Sequence, residues 1–310
     1  MSPTDSILQS TASSPQTGKG SVVNALTVDV EDYFHVEAFR ALVRRQDWGT
    51  YPLRVEDNTR RLLDLFDLFE VKATFFTLGW VAEKKPRLVE EIARRGHEVG
   101  CHSYWHRLVY ALSPDEFRQD TRDAVRILED LTGKPVRAYR APTYSVVPSS
   151  TWALEILPKL GLKADSSVFP IRHDLYGFPS FPRSPVRVLL PGGGSIVEFP
   201  MSTLRTLGMN LPGPGGGYLR ILPFRYSRHV LCKLNVRHNQ PGLVYLHPWE
   251  IDPDQPRLPV KWRSRFRHYT GLEKTATKLT RLLMEFRFAS MSEVLRLYPP
   301  REVVEVGSIG

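Results

Sequence analysis

The sequence predicts an α/β fold in which short buried strands alternate with amphipathic helices. Apolar residues recur at helical spacing between Val55 and Phe69, and the segment that follows, residues 72–78, has the composition of a buried strand. The same succession recurs along the chain, and several strand candidates end in reactive side chains. In (β/α) barrels catalytic residues collect at the carboxyl ends of the strands, so these observations predict a barrel with one site at that rim.

Capping residues and glycines indicate the limits of several helices. Ser113 and Pro114 are typical of a helix start, and Gly133 is typical of the end of the same helix. Clusters of Pro and Gly predict a loop-rich insertion at about 170–240 that holds one strand. The predicted strands are 25–28, 72–78, the run that ends at His102, 135–139, 162–164, 195–201 and 242–246, and the predicted helices are 55–69, 85–95, 113–132, 149–161 and 272–286.

One folded domain, residues 24–300, is expected to carry the whole site and to end in a helical extension. Residues 1–23 are rich in Ser, Thr, Pro and Gln and predict a disordered leader, and residues 301–310 predict a tail. The leader lacks the apolar segment of a secretory signal, and no run of about 18 apolar residues follows it. We therefore expect a cytoplasmic protein with no membrane span.

The charge and the cysteines of the chain narrow the classes of partner. The formal net charge is +9, but the basic residues are spread through the sequence and form no block with interleaved aromatics, which argues against nucleic-acid binding. Cys101 and Cys232 have no metal-binding spacing and fit reduced thiols. The apolar stretch 219–224 and the basic stretch 261–267 leave peripheral contact with a membrane surface open.

Acidic and imidazole side chains supply the candidate metal ligands. Asp29, Glu31 and Asp32 lie together at the end of the first strand. Their mutual repulsion requires a nearby cation or arginine, unless they form a solvated acidic turn. His102 and His106 are spaced so that a helical turn after His102 would direct both imidazoles at one ion. These residues predict a metal site.

Three more reactive residues, Arg140, Asp165 and His247, follow later strands. With them the chain resembles the NodB-homology polysaccharide deacetylases, also called carbohydrate esterase family 4, over about residues 24–295. The resemblance rests on the motifs Thr27–Asp32, His102–His106, Arg140–Pro142, Asp165–Ser167 and Leu246–His247, and the stretches Asp29–Phe34 and His247–Ile251 are most similar to the subgroup encoded with exosortase (PEP-CTERM) and exopolysaccharide loci.

The resemblance implies a distorted (β/α) barrel of about seven strands. The implied activity is metal-dependent hydrolysis of N-acetyl groups from the amino sugars of an exopolysaccharide or its precursor, with release of acetate. The implied substrate is therefore an N-acetylated oligo- or polysaccharide.

The implied cofactor is a divalent metal ion, with zinc expected, held by His102, His106 and one acid. If the strand continues past Asp29, its geometry favours Glu31, which would then point to the same side as Asp29. Asp32 is slightly preferred, because the strand is expected to end at Asp29 and aspartate is the family's usual ligand.

The resemblance also implies how the remaining polar residues act. Asp29 would be the general base, kept ionised by the guanidinium of Arg140. His247 would protonate the leaving amine, and Asp165 would align that imidazole.

The predicted substrate-binding residues are those where the family pattern varies. Thr143 stands where many members have a tyrosine whose backbone N–H supplies an oxyanion donor, and Tyr144 follows it. Phe169 stands at the position of a tryptophan and would form an apolar wall for the acetyl methyl group. Trp249, close to His247, completes this set.

Two other functions remain open from the sequence. One is metal-independent hydrolysis of a small amide, against which the retention of both His102 and His106 argues. The other is a catalytically inactive sugar-binding module, which would leave the joint presence of Asp29, Arg140 and His247 unexplained. Metal analysis of the purified protein discriminates among all three functions.

Overall fold

The computed structural model describes residues 21–308, and within them all seven predicted strands appear, together with five more. Each predicted strand agrees with its counterpart to within a few residues. In chain order the strands are β1 Val23–Val30, β2 Thr74–Thr77, β3 Glu98–Cys101, β4 Ala138–Tyr139, β5 Ala164–Asp165, β6 Val186–Leu189, β7 Ser195–Glu198, β8 Thr203–Thr206, β9 Met209–Pro212, β10 Leu243–Leu246, β11 Arg287–Ala289 and β12 Glu302–Glu305.

The predicted helices also appear, and the helix expected at 149–161, for which Pro158 predicts a kink or an early end, is broken into short helical turns before and after Ala153–Ile156. Pro158 lacks the backbone N–H that a continuous helix needs there. The helices are α1 Val55–Leu68, α2 Gly79–Lys84, α3 Pro86–Arg94, α4 Pro114–Thr132, α5 Ala153–Ile156, α6 Gly216–Ile221, α7 Phe224–Cys232, α8 Trp262–Tyr269, α9 Leu272–Glu285 and α10 Met291–Leu297.

Seven strands form a continuous parallel array in the order β10, β1, β2, β3, β4, β5, β7. Beyond β7, the sheet is extended by the antiparallel strand β6 and by β12, while β11 pairs with the start of β1. The predicted α/β class and the mostly parallel, barrel-like architecture are confirmed.

The gap between the two ends of the parallel array is bridged without a regular ladder. The Leu243 N–H on β10 donates to Ser202 Oγ at 2.6 Å, and Gly215 forms an isolated bridge with Tyr245. Ser202 follows β7 by four residues, so this contact joins the two end strands through the intervening chain. This irregular closure makes the barrel distorted.

The two faces of β1 have different surroundings. Leu26, Val28 and Val30 pack into the apolar core that β1 shares with α1 and α9. Ala25 lies in the core cluster inside the barrel, and Thr27 contacts a buried arginine there. Since side chains alternate along a strand, odd-numbered residues of β1 face the barrel interior.

The predicted domain limits need correction. Residues 170–240 contain four strands and two helices as well as loops, and β7 belongs to the barrel itself. The predicted tail contains β12, which pairs with β6. Residues 1–20 of the predicted leader lie outside the described residues. Short strands between Pro and Gly clusters carry little periodic signal, so only their pairing partners reveal them.

The apolar stretch 219–224 is exposed only in part, at Ile221, which is 37% exposed, and at Pro223. Leu219 and Phe224 are buried in the core shared with α1 and α9, and Arg220 is buried as well. The basic stretch is different, because Trp262 and Phe266 of α8 are 73% and 53% exposed. In the described part of the chain no helix has the length and apolar character needed to cross a membrane.

Asp32 organises the entry to α1. Its carboxylate accepts backbone N–H bonds from Tyr33 at 2.9 Å, from Arg54 at 2.7 Å and from Val55 at 2.9 Å. The last two donors lie at the start of α1, where backbone N–H groups have no partner within the helix. Asp32 is fully buried, so it serves as a structural acceptor for these groups.

We expect Asp32→Ala to lower the free energy of unfolding by about 1–3 kcal/mol, because it leaves buried N–H groups without an acceptor. Urea unfolding of chelator-treated protein measures this loss separately from any contribution of a bound metal ion. Asp57→Ala, an exposed acid in the first turn of the same helix, is the control and should cost less than about 1 kcal/mol. Equal stability of Asp32→Ala and the wild-type protein would contradict the structural role.

Candidate active site

The parallel strands bring most of the predicted reactive residues to one rim of the barrel. Asp29 lies near the end of β1, His102 follows β3, Arg140 follows β4 and His247 follows β10. Apart from His247, which is partly exposed, these side chains are almost completely buried. The rim therefore concentrates charged and imidazole groups at a depth where their mutual interactions are strong.

Glu31, His102 and His106 form the candidate metal centre. One potential ligand atom from each residue lies within 4.8 Å of the other two, and all three side chains are buried. Glu31 Oε2 is 2.9 Å from His106 Nε2, yet this oxygen has no hydrogen-bond partner of acceptable geometry among the described residues. A buried carboxylate oxygen without a hydrogen bond fits the role of a metal ligand. A His–His–Glu donor set is also one that catalytic zinc uses.

The slight preference for Asp32 as the acidic ligand is not supported by the structure. The strand continues to Val30, so Glu31 faces the barrel interior on the same side as Asp29. Asp32 faces the opposite way and binds the start of α1. The strand had been expected to end at Asp29, and this single difference in length decides which acid meets the histidines.

The two histidines approach each other by a different route from the helical turn that was expected. Residues 102–106 contain no helix, and Ser103 and His106 adopt positive φ angles of 65° and 49°. Ser103 Oγ accepts the His106 N–H at 3.1 Å and closes the loop. Left-handed backbone at non-glycine residues is energetically unfavourable, so the surrounding structure must impose this conformation.

The protonation state of His102 suits metal binding. Its Nδ1 lies 2.8 Å from the Arg140 carbonyl oxygen, which can only accept, so Nδ1 carries the proton and Nε2 keeps its lone pair. Burial lowers the pKa of His102 to about 4. The imidazole is therefore neutral at physiological pH and offers Nε2 as a ligand atom.

Arg140 holds Asp29 inside the barrel. Its Nη1 donates to Asp29 Oδ1 at 2.7 Å and to Thr27 Oγ1 at 2.8 Å. Nε and Nη2 donate to the carbonyl and hydroxyl oxygens of Ser166. The second carboxylate oxygen, Asp29 Oδ2, faces His247 Nε2 at 3.8 Å. One oxygen of Asp29 is thus held by a buried cation while the other faces the site.

The carboxylate that orients His247 is Glu250, and the predicted partner Asp165 is wrong. Glu250 Oε2 accepts from His247 Nδ1 at 3.1 Å and from the His247 backbone N–H at 3.0 Å. Its other oxygen accepts from Arg220 Nε at 2.6 Å. Arg220 is itself fixed by bonds to the backbone oxygens of Arg267 and Thr270.

Asp165 instead pairs with a second acid. It lies opposite Glu198 in the β5–β7 register, and Ser167 Oγ donates to it. Burial raises the pKa of both carboxyl groups, and the charge of Asp165 raises the pKa of Glu198 further. Glu198 also accepts the N–H groups of Ser167 and Val168. This pair supports the loop after β5, behind Arg140.

Charges at the rim favour opposite protonation states for two neighbouring groups. Burial of Glu31 would raise its pKa, but the imidazoles of His106, His247 and His102 outweigh burial and hold the pKa well below its usual range. Burial likewise opposes the charge of His247, yet Glu250, Glu31 and Asp29 together raise its pKa to about 9. An ionised acid and a protonated imidazole therefore stand 3.1 Å apart, from Glu31 Oε1 to His247 Nε2.

The predicted substrate-binding residues occupy two environments. Thr143 and Tyr144 have positive φ angles of 55° and 51° in the turn after Arg140, and Tyr144 packs against Phe169 inside the barrel. Trp249 is 4% exposed and is stacked between the rings of His247 and His268. Trp249 therefore supports the imidazole of His247 by stacking on it. Contact of Thr143, Tyr144 and Phe169 with substrate stays a prediction.

Sequence reasoning missed two residues of the site, Glu250 and Arg220. A signal for Glu250 was present, because an acid three residues after His247 has the spacing of a capping box, and the structure contains that box. Arg220 lies in the supposed insertion, 30 residues from Glu250, and no local pattern indicates it. The tertiary structure alone brings its guanidinium to the site.

Comparison with known families agrees with this geometry. Residues 47–164 match the family model for polysaccharide deacetylase. Residues 166–296 match the model of a domain of unknown function, DUF3473. The two matches adjoin at β5 and together span β2 to β11, with β1 and β12 outside them.

Two curated relatives each match about a third of this chain. A peptidoglycan-N-acetylglucosamine deacetylase of Bacillus cereus is 37% identical over 98 residues, which are 31% of this chain and 36% of the relative. A peptidoglycan deacetylase of Helicobacter pylori is 34% identical over 108 residues, 35% of this chain and 36% of the relative. The chain thus matches about a third of the length of these relatives.

A solved structure assigned as a polysaccharide deacetylase, from Mycobacterium smegmatis, has the same fold along nearly the whole chain. Its TM-score is 0.58 at 20% sequence identity, and the match covers 94% of this chain and 96% of that one. The fold, the rim motifs and the matched family model agree. Through the family model matched by residues 47–164, the chain resembles the NodB-homology polysaccharide deacetylases, carbohydrate esterase family 4.

Proposed function

We propose that this protein hydrolyses N-acetyl groups on the amino sugars of a polysaccharide and releases acetate. The observation that carries this proposal is the Glu31–His102–His106 cluster, which lies between a restrained carboxylate, Asp29, and a protonated imidazole, His247. Amide hydrolysis needs an activated water, a base for its proton and an acid for the departing amine. The rim offers a group for each task.

Glu31, His102 and His106 would hold a divalent ion, and we propose zinc because two imidazoles and one carboxylate match its catalytic ligand sets. When bound, such an ion polarises the acetyl carbonyl and lowers the pKa of a water molecule. Arg140 would support this site without binding the ion. Its backbone carbonyl fixes the His102 tautomer, and its guanidinium restrains Asp29.

The protein side chains would manage the protons. Asp29 Oδ1 is engaged by Arg140, so Oδ2 is the oxygen that would accept the proton of the attacking water. His247 Nε2 faces the same space, and its Nδ1 is held by Glu250. In its protonated form it would donate from Nε2 to the amine as the carbon–nitrogen bond breaks.

The finer identity of the substrate is also a proposal. We infer an exopolysaccharide or its precursor from the similarity of the Asp29–Phe34 and His247–Ile251 stretches to the exopolysaccharide-locus subgroup. The two relatives named above are peptidoglycan deacetylases, so peptidoglycan fragments are the comparison substrate. Peripheral contact with a membrane surface stays a prediction, for which the exposed Ile221, Trp262 and Phe266 are candidates.

Removing one imidazole should abolish both metal binding and activity. We expect His102→Ala and His106→Ala to lose tightly bound metal and acetate release while remaining folded, because each loses one of three protein ligands. Metal content of the purified variants and acetate release from N-acetylated oligosaccharides measure the effect. His238→Ala, an exposed histidine, is the control. Full activity of either ligand variant in the absence of metal would support the metal-independent alternative.

The acid ligand can be identified by zinc affinity. We expect Glu31→Gln to weaken zinc binding by about ten- to a hundredfold or more, since even indirect changes around a metal cost that much. Asp32→Asn should leave the affinity nearly unchanged, because its carboxylate binds the start of α1. Asp29→Asn should keep the metal and stop turnover. Loss of zinc in Asp32→Asn with full retention in Glu31→Gln would reverse the assignment.

Catalysis by His247 should depend on Glu250 and much less on Asp165. We expect His247→Ala to retain metal and to lose about a hundredfold or more in kcat, the usual size of a general-acid contribution. Glu250→Gln should also lower kcat, because Glu250 orients the imidazole of His247. Asp165 contacts neither His247 nor Glu250, so Asp165→Asn is the matched comparison. A change confined to KM in His247→Ala would make His247 a binding residue.

A further inference from the structure

A cavity of about 210 Å³ opens beside the candidate metal centre, and none of the catalytic steps above uses it. Its wall is the segment between β1 and α1, which contains two short helical turns, Glu37–Phe39 and Arg45–Thr50. The metal-ligand candidate His106 closes one side. The other polar residues that line the cavity are His35, Glu37, Arg40, Arg44 and Arg45.

The charged groups of this cavity are predominantly cationic. Three arginines, Arg40, Arg44 and Arg45, face a single lining carboxylate, Glu37. The Arg40 and Arg44 side chains are 58% and 71% exposed, and each pairs with an acid three residues away. Exposed pairs of this kind contribute only about 0–1 kcal/mol, so both guanidinium groups are free to turn to a ligand.

Arg45 is held more firmly, by bonds to the loop that carries His106. Its Nε donates to the Trp105 carbonyl at 2.7 Å, and its Nη2 donates to the His106 carbonyl at 3.4 Å. The guanidinium is therefore tied to the loop that carries His106. A ligand group bound by Arg45 would therefore lie beside this loop, and another part of the same molecule would reach the metal ion.

A buried donor without a partner also belongs to the cavity wall. His35 Nδ1 accepts the Asp32 N–H at 2.9 Å, so in the neutral ring Nε2 carries the proton. Nε2 is buried and has no hydrogen-bond partner among the described residues, and His35 as a whole is 4% exposed. An unpaired buried donor is costly, so an oxygen acceptor brought by a ligand would satisfy it.

We propose that this cavity binds an acidic substituent, a carboxylate or a phosphate, of the same N-acetylated saccharide whose acetyl group is cleaved at the metal centre. This inference rests on the proposed function. Arginine forks are suited to both anions, and charge-assisted bonds to them are about twice as strong as neutral ones. The preferred substrate is then an acidic amino-sugar polymer.

Binding of matched saccharides tests the proposal. Three probes are needed: a neutral N-acetylhexosamine oligosaccharide, the same chain with one hexuronic acid, and the same chain with one phosphate ester. Calorimetry on the full-length, zinc-loaded protein carrying Asp29→Asn gives affinities without turnover. We expect at least one acidic probe to bind about ten- to a hundredfold more tightly than the neutral probe, the range of charge-assisted hydrogen bonds. Which acidic probe gains distinguishes the two anions.

The double substitution Arg40→Gln and Arg44→Gln should remove most of this preference without loss of fold or zinc, because both side chains are exposed. Arg118→Gln is the matched control, since Arg118 also pairs with an acid three residues away, Asp115, but does not line the cavity. Equal affinity for neutral and acidic probes, or a preference unchanged in the double variant, would overturn the proposal. An intact preference with no acetate release by the wild-type protein would instead count against the proposed function alone.

Discussion

The site depends on the contacts that the buried guanidinium of Arg140 makes. It has no exposure to solvent and binds side chains or backbone on β1 and on the loop after β5, and it stacks over the ring of Phe76 on β2. The backbone carbonyl of Arg140 fixes the tautomer of His102, which follows β3. A charge at such depth requires a partner, and Asp29 supplies it, so the candidate base Asp29 and the candidate metal ligand His102 are both positioned by one residue.

Burial and neighbouring charge together give the histidines of the rim different states. His102 lies near the carboxylates of Asp29 and Glu31, but burial outweighs them and lowers its pKa to about 4. His247 is also removed from water, but carboxylates of Glu250, Glu31 and Asp29 surround it and raise its pKa to about 9. The same side-chain type is therefore neutral where a lone pair is needed and charged where a proton is needed, which is the arrangement expected of a ligand and an acid.

Strand parity and strand register decide which acids belong to the site. Asp29 and Glu31 share the interior side of the chain because β1 continues to Val30, and Asp32 turns outward to the start of α1. Asp165 is opposite Glu198 because β5 is adjacent to β7. That adjacency places Asp165 beside Glu198 and leaves the orientation of His247 to Glu250, which is three residues away in the same turn.

The sequence by itself determined the α/β class, the seven parallel strands and the residues that end them, because hydrophobic periodicity and turn residues act over short stretches. Asp29, His102, His106, Arg140 and His247 could all be named from this local information. Three features were decided only by the tertiary structure: the choice of Glu31 over Asp32, the pairing of Asp165 with Glu198, and the support of Glu250 by Arg220. Each depends on where a strand ends, which strand lies beside it, or which distant residue fills a buried space, and these are properties of packing that no local pattern encodes.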